Sequence, residues 1–484
     1  MREPSRRLST GIAGLDEILF GGLTPARTYL VSGQPGTGKT ILGLHFLGAG
    51  AVNGEKALLI TLGEAEAQIR KNAETLGLDL TGISFLDLSP SMAFFSEVKT
   101  YDIFSAADVE REPTTRKIIE KMEELNPQRI LIDSMTQFRY LSPDPFQFRK
   151  QVLSFLQFLT SRKGTVLFTS EGTASAPDDD LEFMCDGAIH LVLSDSQRIV
   201  RITKFRGSDF LGGDHTMRLT DHGMAISPRL IPESHQKEFV AESISSGVPQ
   251  LDTLLHGGLE RGTISVFTGP SGVGKTTLGV QFMKAAAARG ERSVIYLFEE
   301  GMETLLHRSA LIKVPIQEMI QRGTLSVVQV EPLQFAPDEF ASMVRAEVEA
   351  QNTRIVMIDG VTGYQLSVRG GDLIRHLHSL CRYLKNMGVT VILINETEEI
   401  TGDFKATEVG ISYLADNLVF LRYLELHGEL RKTIGVLKKR LTDFEKTLRE
   451  IEITGDGVKV GRPLTELRGI LRGIPEWVSP PKTQ

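Results

Sequence analysis

Only two cysteines, Cys185 and Cys381, occur in the chain, and they form no Cys-x-x-Cys pair. A disulfide scaffold and a zinc ribbon are thereby set aside, and a reducing compartment suits such a chain. An excess of positive charge is missing too. The formal net charge is −7 at pH 7, so no overall field draws the protein to nucleic acid or to an anionic membrane. Apolar runs such as residues 57–62 and 390–394 are too short to cross a bilayer. Residues 1–10 are charged and polar, without the apolar stretch of a signal peptide. The ten histidines show no metal-ligand spacing; His376 and His378, two apart, point to different sides of a helix. The expectation is a soluble, cytoplasmic protein with no membrane or nucleic-acid partner.

What is there is one sequence written twice. The chain has 484 residues, 41% of them hydrophobic and 24% charged, which fits two globular domains of about 230 residues each. Ser-Thr-Gly-Ile-Ala-Gly-Leu-Asp ending at Asp16 returns as Ser-Ser-Gly-Val-Pro-Gln-Leu-Asp ending at Asp252. Residues 9–64 map onto 245–300 without a gap. A period that long means two whole domains rather than a solenoid. The boundary falls in the polar stretch 228–243, which holds Pro228 and Pro232. The expected division is a first domain over 1–230, a linker over 231–244 and a second domain over 245–484. In each half, apolar strands alternate with helices, which predicts α/β domains with a mostly parallel central sheet flanked by helices. Late in each half, adjacent strands with short turns (187–193 then 198–204; 417–424 then 430–438) predict antiparallel additions.

The pattern G-x-x-x-x-G-K-[ST] occurs in both halves, as GQPGTGKT and GPSGVGKT, each between a strand and a helix. The glycines Gly33, Gly36 and Gly38, and Gly269, Gly272 and Gly274, let the backbone wrap so that N–H groups face phosphate oxygens. Lys39 and Lys275 are expected to reach the β- and γ-phosphates of ATP, and Thr40 and Thr276 to place a hydroxyl on Mg²⁺. Each half also has an apolar strand ending in an aspartate, Asp133 and Asp359. Their carboxylates would hold the metal through its water shell, because Mg²⁺ sheds water reluctantly; the bland alternative is a turn or N-cap aspartate. Hydrolysis needs a group to orient or deprotonate water. The strand after the P-loop helix ends in Phe298-Glu299-Glu300 in the second half and in Leu62-Gly63-Glu64 in the first. Glu64, Glu299 and Glu300 are the candidates, against the alternative of surface glutamates opening a helix. The first site is expected to bind ATP and to hydrolyse it more slowly, or differently, than the second.

These features in duplicate, with the late Lys-x-Arg strands, resemble the KaiC family within the RecA-like ATPases, from about Ser9 to Val478. The segments Ile-Ser-Tyr-Leu-Ala-Asp ending at Asp416 and Thr-Asp-His-Gly ending at Gly223 resemble that family in particular. The resemblance implies two tandem RecA-like P-loop domains and a homo-hexameric ring with ATP between subunits. It implies that Lys204 and Arg206, and Lys438 and Arg440, reach a neighbour's phosphates, where a cation would stabilise the transferring group. The second pair lacks the Gly-Ser that follows Arg206, and the alternative for both pairs is solvated residues on an edge strand. Thr220 and Asp221 would lie near the neighbouring nucleotide's ribose. Some members phosphorylate themselves on an adjacent Ser-Thr pair; matched here, that pair falls on Ser412 and Tyr413, so one acceptor hydroxyl survives. The tail Pro480-Pro-Lys-Thr-Gln484 is short beside the partner-recruiting tails of clock members.

The leading expectation is an ATP-hydrolysing switch, with possible serine autokinase activity at Ser412, read by a signalling or clock-type protein partner. Two alternatives stand beside it. One is a DNA-dependent RecA-like recombination motor, against which the absence of a basic run and the net charge argue. The other is a nucleotide-dependent scaffold with little turnover, towards which the Leu62-Gly63-Glu64 segment points in the first half.

Overall fold

The computed structural model describes residues 6–89, 106–140, 145–172, 178–194, 197–331, 333–367, 373–397, 411–472 and 475–478. The first residues, 1–5, and the tail from Pro480 lie outside them. The chain divides into two units, Met1–Arg229 and Leu230–Gln484. Residues 230–244 pack on the second unit: Leu230 lies against its core, and the Lys237 N–H donates to Asn386 O at 3.1 Å.

Strand placement follows apolar runs that are buried on both faces. In the first unit the strands are β1 (Thr28–Gly33), β2 (Ala57–Thr61), β3 (Ile83–Asp87), β4 (Arg129–Asp133), β5 (Thr165–Ser170), β6 (Gly187–Ser194), β7 (Gln197–Phe205), β8 (Asp214–Thr220) and β9 (Gly223–Ser227). They form one sheet in the order β3-β2-β4-β5-β1-β6-β7-β8-β9. The stretch from β3 to β6 is parallel, and β7, β8 and β9 are antiparallel additions. The second unit opens with a two-residue pair, β10 (Ser243–Ile244) on β11 (Leu259–Glu260). Its sheet uses β12 (Ile264–Gly269), β13 (Ser293–Leu297), β14 (Leu325–Gln329), β15 (Ile355–Asp359), β16 (Thr390–Glu396), β17 (Asn417–Leu426), β18 (Glu429–Lys439), β19 (Arg449–Thr454) and β20 (Gly457–Pro463). The order β14-β13-β15-β16-β12-β17-β18-β19-β20 repeats that of the first unit. Both units therefore have the RecA-like architecture, a mostly parallel sheet with helices on its faces. Among the described residues no helix is long and apolar enough to cross a membrane.

Side chains alternate between two cores, as the period of a strand requires. Leu58 and Ile60 of β2 and Ile130 and Ile132 of β4 enter one core of the first sheet, whereas Leu59 and Leu131 enter the other. In the second sheet Val294, Val356 and Ile358 are split in the same way from Ile295, Ile355 and Met357. The helix Lys39–Val52 lies against β4, and a Cβ on Gly43 would come within 2.4 Å of Leu131 Cδ2. The helix Lys275–Ala288 does the same on β15, where a Cβ on Gly279 would meet Met357 Sδ at 2.4 Å. A glycine at this point in each helix keeps the start of the helix close to the aspartate that ends the strand.

The units differ where one lysine replaces an aromatic ring. Phe205 at the end of β7 stacks on Tyr29 at 5.7 Å between centroids. At the matching place on β18, Lys439 is buried; its Nζ lies 2.7 Å from Glu260 Oε1 and donates to the carbonyls of Leu255 and Gly258.

Both cysteines lie in the core and are free. Burial pushes the Cys185 thiol up to about 11 and the Cys381 thiol to about 12, which suppresses the reactive thiolate. The native protein is accordingly expected to leave an aromatic disulfide reagent unreacted at mildly alkaline pH, and to react at both thiols once guanidinium unfolds it. A thiol that reacts at once in the native state would contradict this burial.

Candidate functional site

Each phosphate-type loop runs from the end of the central strand, β1 or β12, into the helix that opens at Lys39 or Lys275. The residue before each lysine has a left-handed backbone, with φ 104° at Gly38 and 113° at Gly274. Space there is closed as well. A Cβ on Gly274 would come within 2.3 Å of Ile453 Cδ1, and one on Gly38 within 3.0 Å of Met224 Cε. The antiparallel strands at the end of each sheet thus form the back wall of the loop, and only glycine satisfies both conditions.

Lys39 Nζ donates to Gly33 O at 2.8 Å and to Gln34 O at 3.0 Å; Lys275 Nζ donates to Gly269 O at 2.7 Å and to Pro270 O at 2.8 Å. Both lysines are buried. Burial lowers the pKa of Lys275, while Glu396, Asp359 and Glu299 act the other way. In the first unit the loop opens into a cleft of about 340 Å³ lined by Lys39, Thr40, Glu64, Asn72, Asp133 and Glu171 among others.

The loop threonine and the strand-end aspartate meet in both units. Thr40 Oγ1 donates to Asp133 Oδ2 at 2.7 Å, and Thr276 Oγ1 to Asp359 Oδ1 at 3.0 Å. Asp359 is buried, its Oδ2 has no hydrogen-bond partner, and burial pushes its carboxyl up to about 6. A desolvated carboxylate with an orphaned oxygen beside a hydroxyl is the donor set of a hard cation. Among the described residues there is no group of three or more His, Cys, Asp or Glu that could hold a metal. One hydroxyl beside one carboxylate in each unit leaves the remaining positions to water and phosphate, a set that fits Mg²⁺.

The acidic candidates are held differently in the two units. Glu299 Oε1 accepts the Gly363 N–H at 2.9 Å, just past the end of β15, and Glu300 pairs with Arg308 at 2.9 Å. Glu64 lines the first cleft and accepts from Asn72 Nδ2 at 2.8 Å. Its carboxyl is raised above the usual range, first by burial and then by Asp133.

Four residues at these loops carry no sequence signal of their own. Glu171, just after β5, lies 3.3 Å from Lys39 Nζ, and Glu396, ending β16, lies 4.0 Å from Lys275 Nζ. Arg198 on β7 donates to Gly36 O at 3.2 Å, and Lys432 at the matching place on β18 donates to Gly272 O at 2.9 Å. A cation from the first antiparallel strand thus closes the tip of each loop.

The remaining residues singled out from the sequence lie elsewhere. Lys204 pairs across the sheet with Ala188, beside the beginning of β1, so Lys204 and Arg206 sit at the opposite end of the strands from their own phosphate loop. Lys204 Nζ donates to the carbonyls of Glu182 and Phe183, and Arg206 is exposed. Lys438 Nζ donates to Ser412 O at 3.3 Å and Arg440 Nη2 to Tyr413 O at 3.1 Å. The exposed Ser412 lies in the single turn Ile411–Tyr413, which leads into β17 at the start of β12, far from Gly269. Thr220 and Asp221 occupy the β8–β9 turn. That turn packs on Gly77 and, through Met224, on His45, and its neighbour Leu219 lines the cleft of the same chain. The turn therefore borders its own chain's cleft.

A family model described as "ATPase: KaiC" matches residues 8–231 and again 244–465. The chain is similar over nearly its whole length to curated proteins with KaiC names. It is 26% identical to the circadian clock oscillator protein KaiC of Parasynechococcus marenigrum, over 98% of this chain and 94% of that one. It is 28% identical to the circadian clock protein KaiC3 of a Synechocystis species, over 98% and 95%. Against the KaiC of Synechococcus elongatus the identity is 27%, over 98% and 92%.

Proposed function

The chain belongs to the KaiC family of ATPases, and from that premise we propose that each unit binds one Mg·ATP and hydrolyses it. The observation that carries this reading is the duplicated arrangement of loop lysine, loop threonine and strand-end aspartate. The loop N–H groups and the lysine hold the phosphates in line for attack. Thr40 with Asp133, and Thr276 with Asp359, would hold Mg²⁺, which when bound neutralises charge on the β- and γ-phosphate oxygens. At the second site the Gly363 N–H fixes one oxygen of Glu299, leaving the other to accept a hydrogen bond from water. Water then attacks the γ-phosphorus, the bond to the bridging oxygen breaks, and ADP and phosphate leave, with the water's proton passing towards Glu299.

The relatives carry names of clock proteins, and the proposal extends to a homo-hexameric, nucleotide-driven switch read by a protein partner. Lys204, Arg206, Lys438 and Arg440 would then serve a neighbour's nucleotide, which their distance from their own loops favours. The same geometry bears on Ser412. β12 is six residues long, or about 20 Å at 3.3 Å per residue, and Ser412 and the second loop lie at its opposite ends. Phosphate transfer to the Ser412 hydroxyl therefore runs between subunits.

Incubation with Mg·ATP, following ADP release and intact mass together, tests the reading. The expected result is steady ADP release, with a gain of one phosphate mapped to Ser412 and lost in Lys275→Ala. ADP release without a mass gain removes the kinase and leaves the ATPase. Bound nucleotide without release favours the scaffold, and tight, salt-sensitive DNA binding favours the recombination motor.

A further inference from the structure

We propose that Gln137 positions the attacking water at the first site, in the place that Glu299 holds at the second. The inference rests on the hydrolysis reading above and assigns a residue to it.

The two units match in register here. Thr61 of β2 pairs with Asp133 of β4, and Leu297 of β13 with Asp359 of β15. Counting on from these pairs, Gly63 is the counterpart of Glu299, and Gln137 the counterpart of Gly363. The first unit thus has Gly with Gln where the second has Glu with Gly. The exchange is reciprocal, and space explains why. A Cβ on Gly363 would lie 2.7 Å from Glu299 Cγ and 2.8 Å from Phe298 Cβ, so the strand end that carries Glu299 leaves room only for glycine at 363. In the first unit, a Cβ on Gly63 would have Gln137 Nε2 as its near neighbour, at 3.7 Å. The glutamine amide therefore reaches, from the short helix Thr136–Tyr140 after the neighbouring strand, the volume into which the glutamate side chain grows in the second unit.

A glutamine at this point has the right chemistry for one role and the wrong chemistry for another. Its amide donates and accepts hydrogen bonds and so can orient a water for in-line attack, but it takes no proton. The proton acceptor then has to be a different group, and Glu64, next to Gly63, lines the same cleft as Lys39 and Thr40. The first site divides between two side chains the work that one carboxylate does at the second. A surface glutamine with no role is the competing account; it gives no reason for the glutamate to be lost at the position that the glutamine faces.

The test uses the full chain with the second site silenced by Lys275→Ala, so that turnover reports the first. Gln137→Ala in that parent is expected to lower kcat about tenfold with KM for ATP unchanged. The double change Gly63→Glu with Gln137→Gly rebuilds the second site's pair and is expected to recover turnover. Gln137→Glu makes the rate rise with pH through the carboxylate range, a readout that a purely structural residue would not give. Unchanged kcat in Gln137→Ala, or no recovery in the double variant, overturns the proposal. A Lys275→Ala parent that binds ATP and never turns it over sinks the first-site hydrolysis reading itself, and this proposal with it. That result is distinct from a parent whose turnover ignores Gln137.

Discussion

Lys275→Ala is expected to reduce ATP turnover at the second site by about 10²–10³-fold, the usual effect of removing one preorganised donor from a phosphate site. The lysine is buried, and its ammonium is anchored by the carbonyls of Gly269 and Pro270 at the mouth of the loop. A cation held there in a low-dielectric cradle acts most strongly on the charge that develops on the transferring phosphoryl group. The fold should survive the change, because β12 and the helix after the loop are fixed by the core around Phe267, Leu278 and Phe282. Far-UV dichroism alongside the rate separates loss of function from loss of structure. Turnover within a few-fold of the parent, with the first site silenced by Lys39→Ala, would remove Lys275 from the mechanism.

Glu299→Gln is expected to lower kcat at the second site by about 10²-fold and to leave ATP binding intact, since general-base assistance contributes about 10²–10⁴-fold. The amide keeps the size of the side chain and an acceptor oxygen for the Gly363 N–H, so water loses only its proton acceptor. Glu300→Gln should cost less in rate, because that carboxylate is already engaged by Arg308. A larger loss from Glu300 than from Glu299 would reverse the two roles. Single-turnover release of phosphate from labelled ATP measures the chemical step directly and keeps slow product release from masking the difference.

What could be read from the sequence was what is local along the chain. The repeat, the two glycine loops and the strands ending at Asp133 and Asp359 each occupy a short window, and their order led to the parallel sheet. The contact between Thr40 and Asp133 was accessible for the same reason, since both residues sit at strand or helix ends on one edge of the sheet. Contacts made by packing were not accessible. Nothing about Arg198 or Lys432 marks them out, and only the antiparallel pairing of β7 on β6 and β18 on β17 swings them over the loop tips. Glu171 and Glu396 follow ordinary apolar strands and acquire meaning from the lysine opposite. Gly63 was visible as a departure, but its complement, Gln137, lies in the short helix after another strand, and the match shows only in three dimensions.

The central claim is that each repeat is a complete nucleotide site, and counting nucleotides tests it most directly. Purified chains of the parent, Lys39→Ala and Lys275→Ala would be saturated with a non-hydrolysable ATP analogue and Mg²⁺, and bound nucleotide measured per chain by equilibrium dialysis. The account predicts two per chain for the parent and one for each variant. A single nucleotide in the parent, or no loss in either variant, would contradict it.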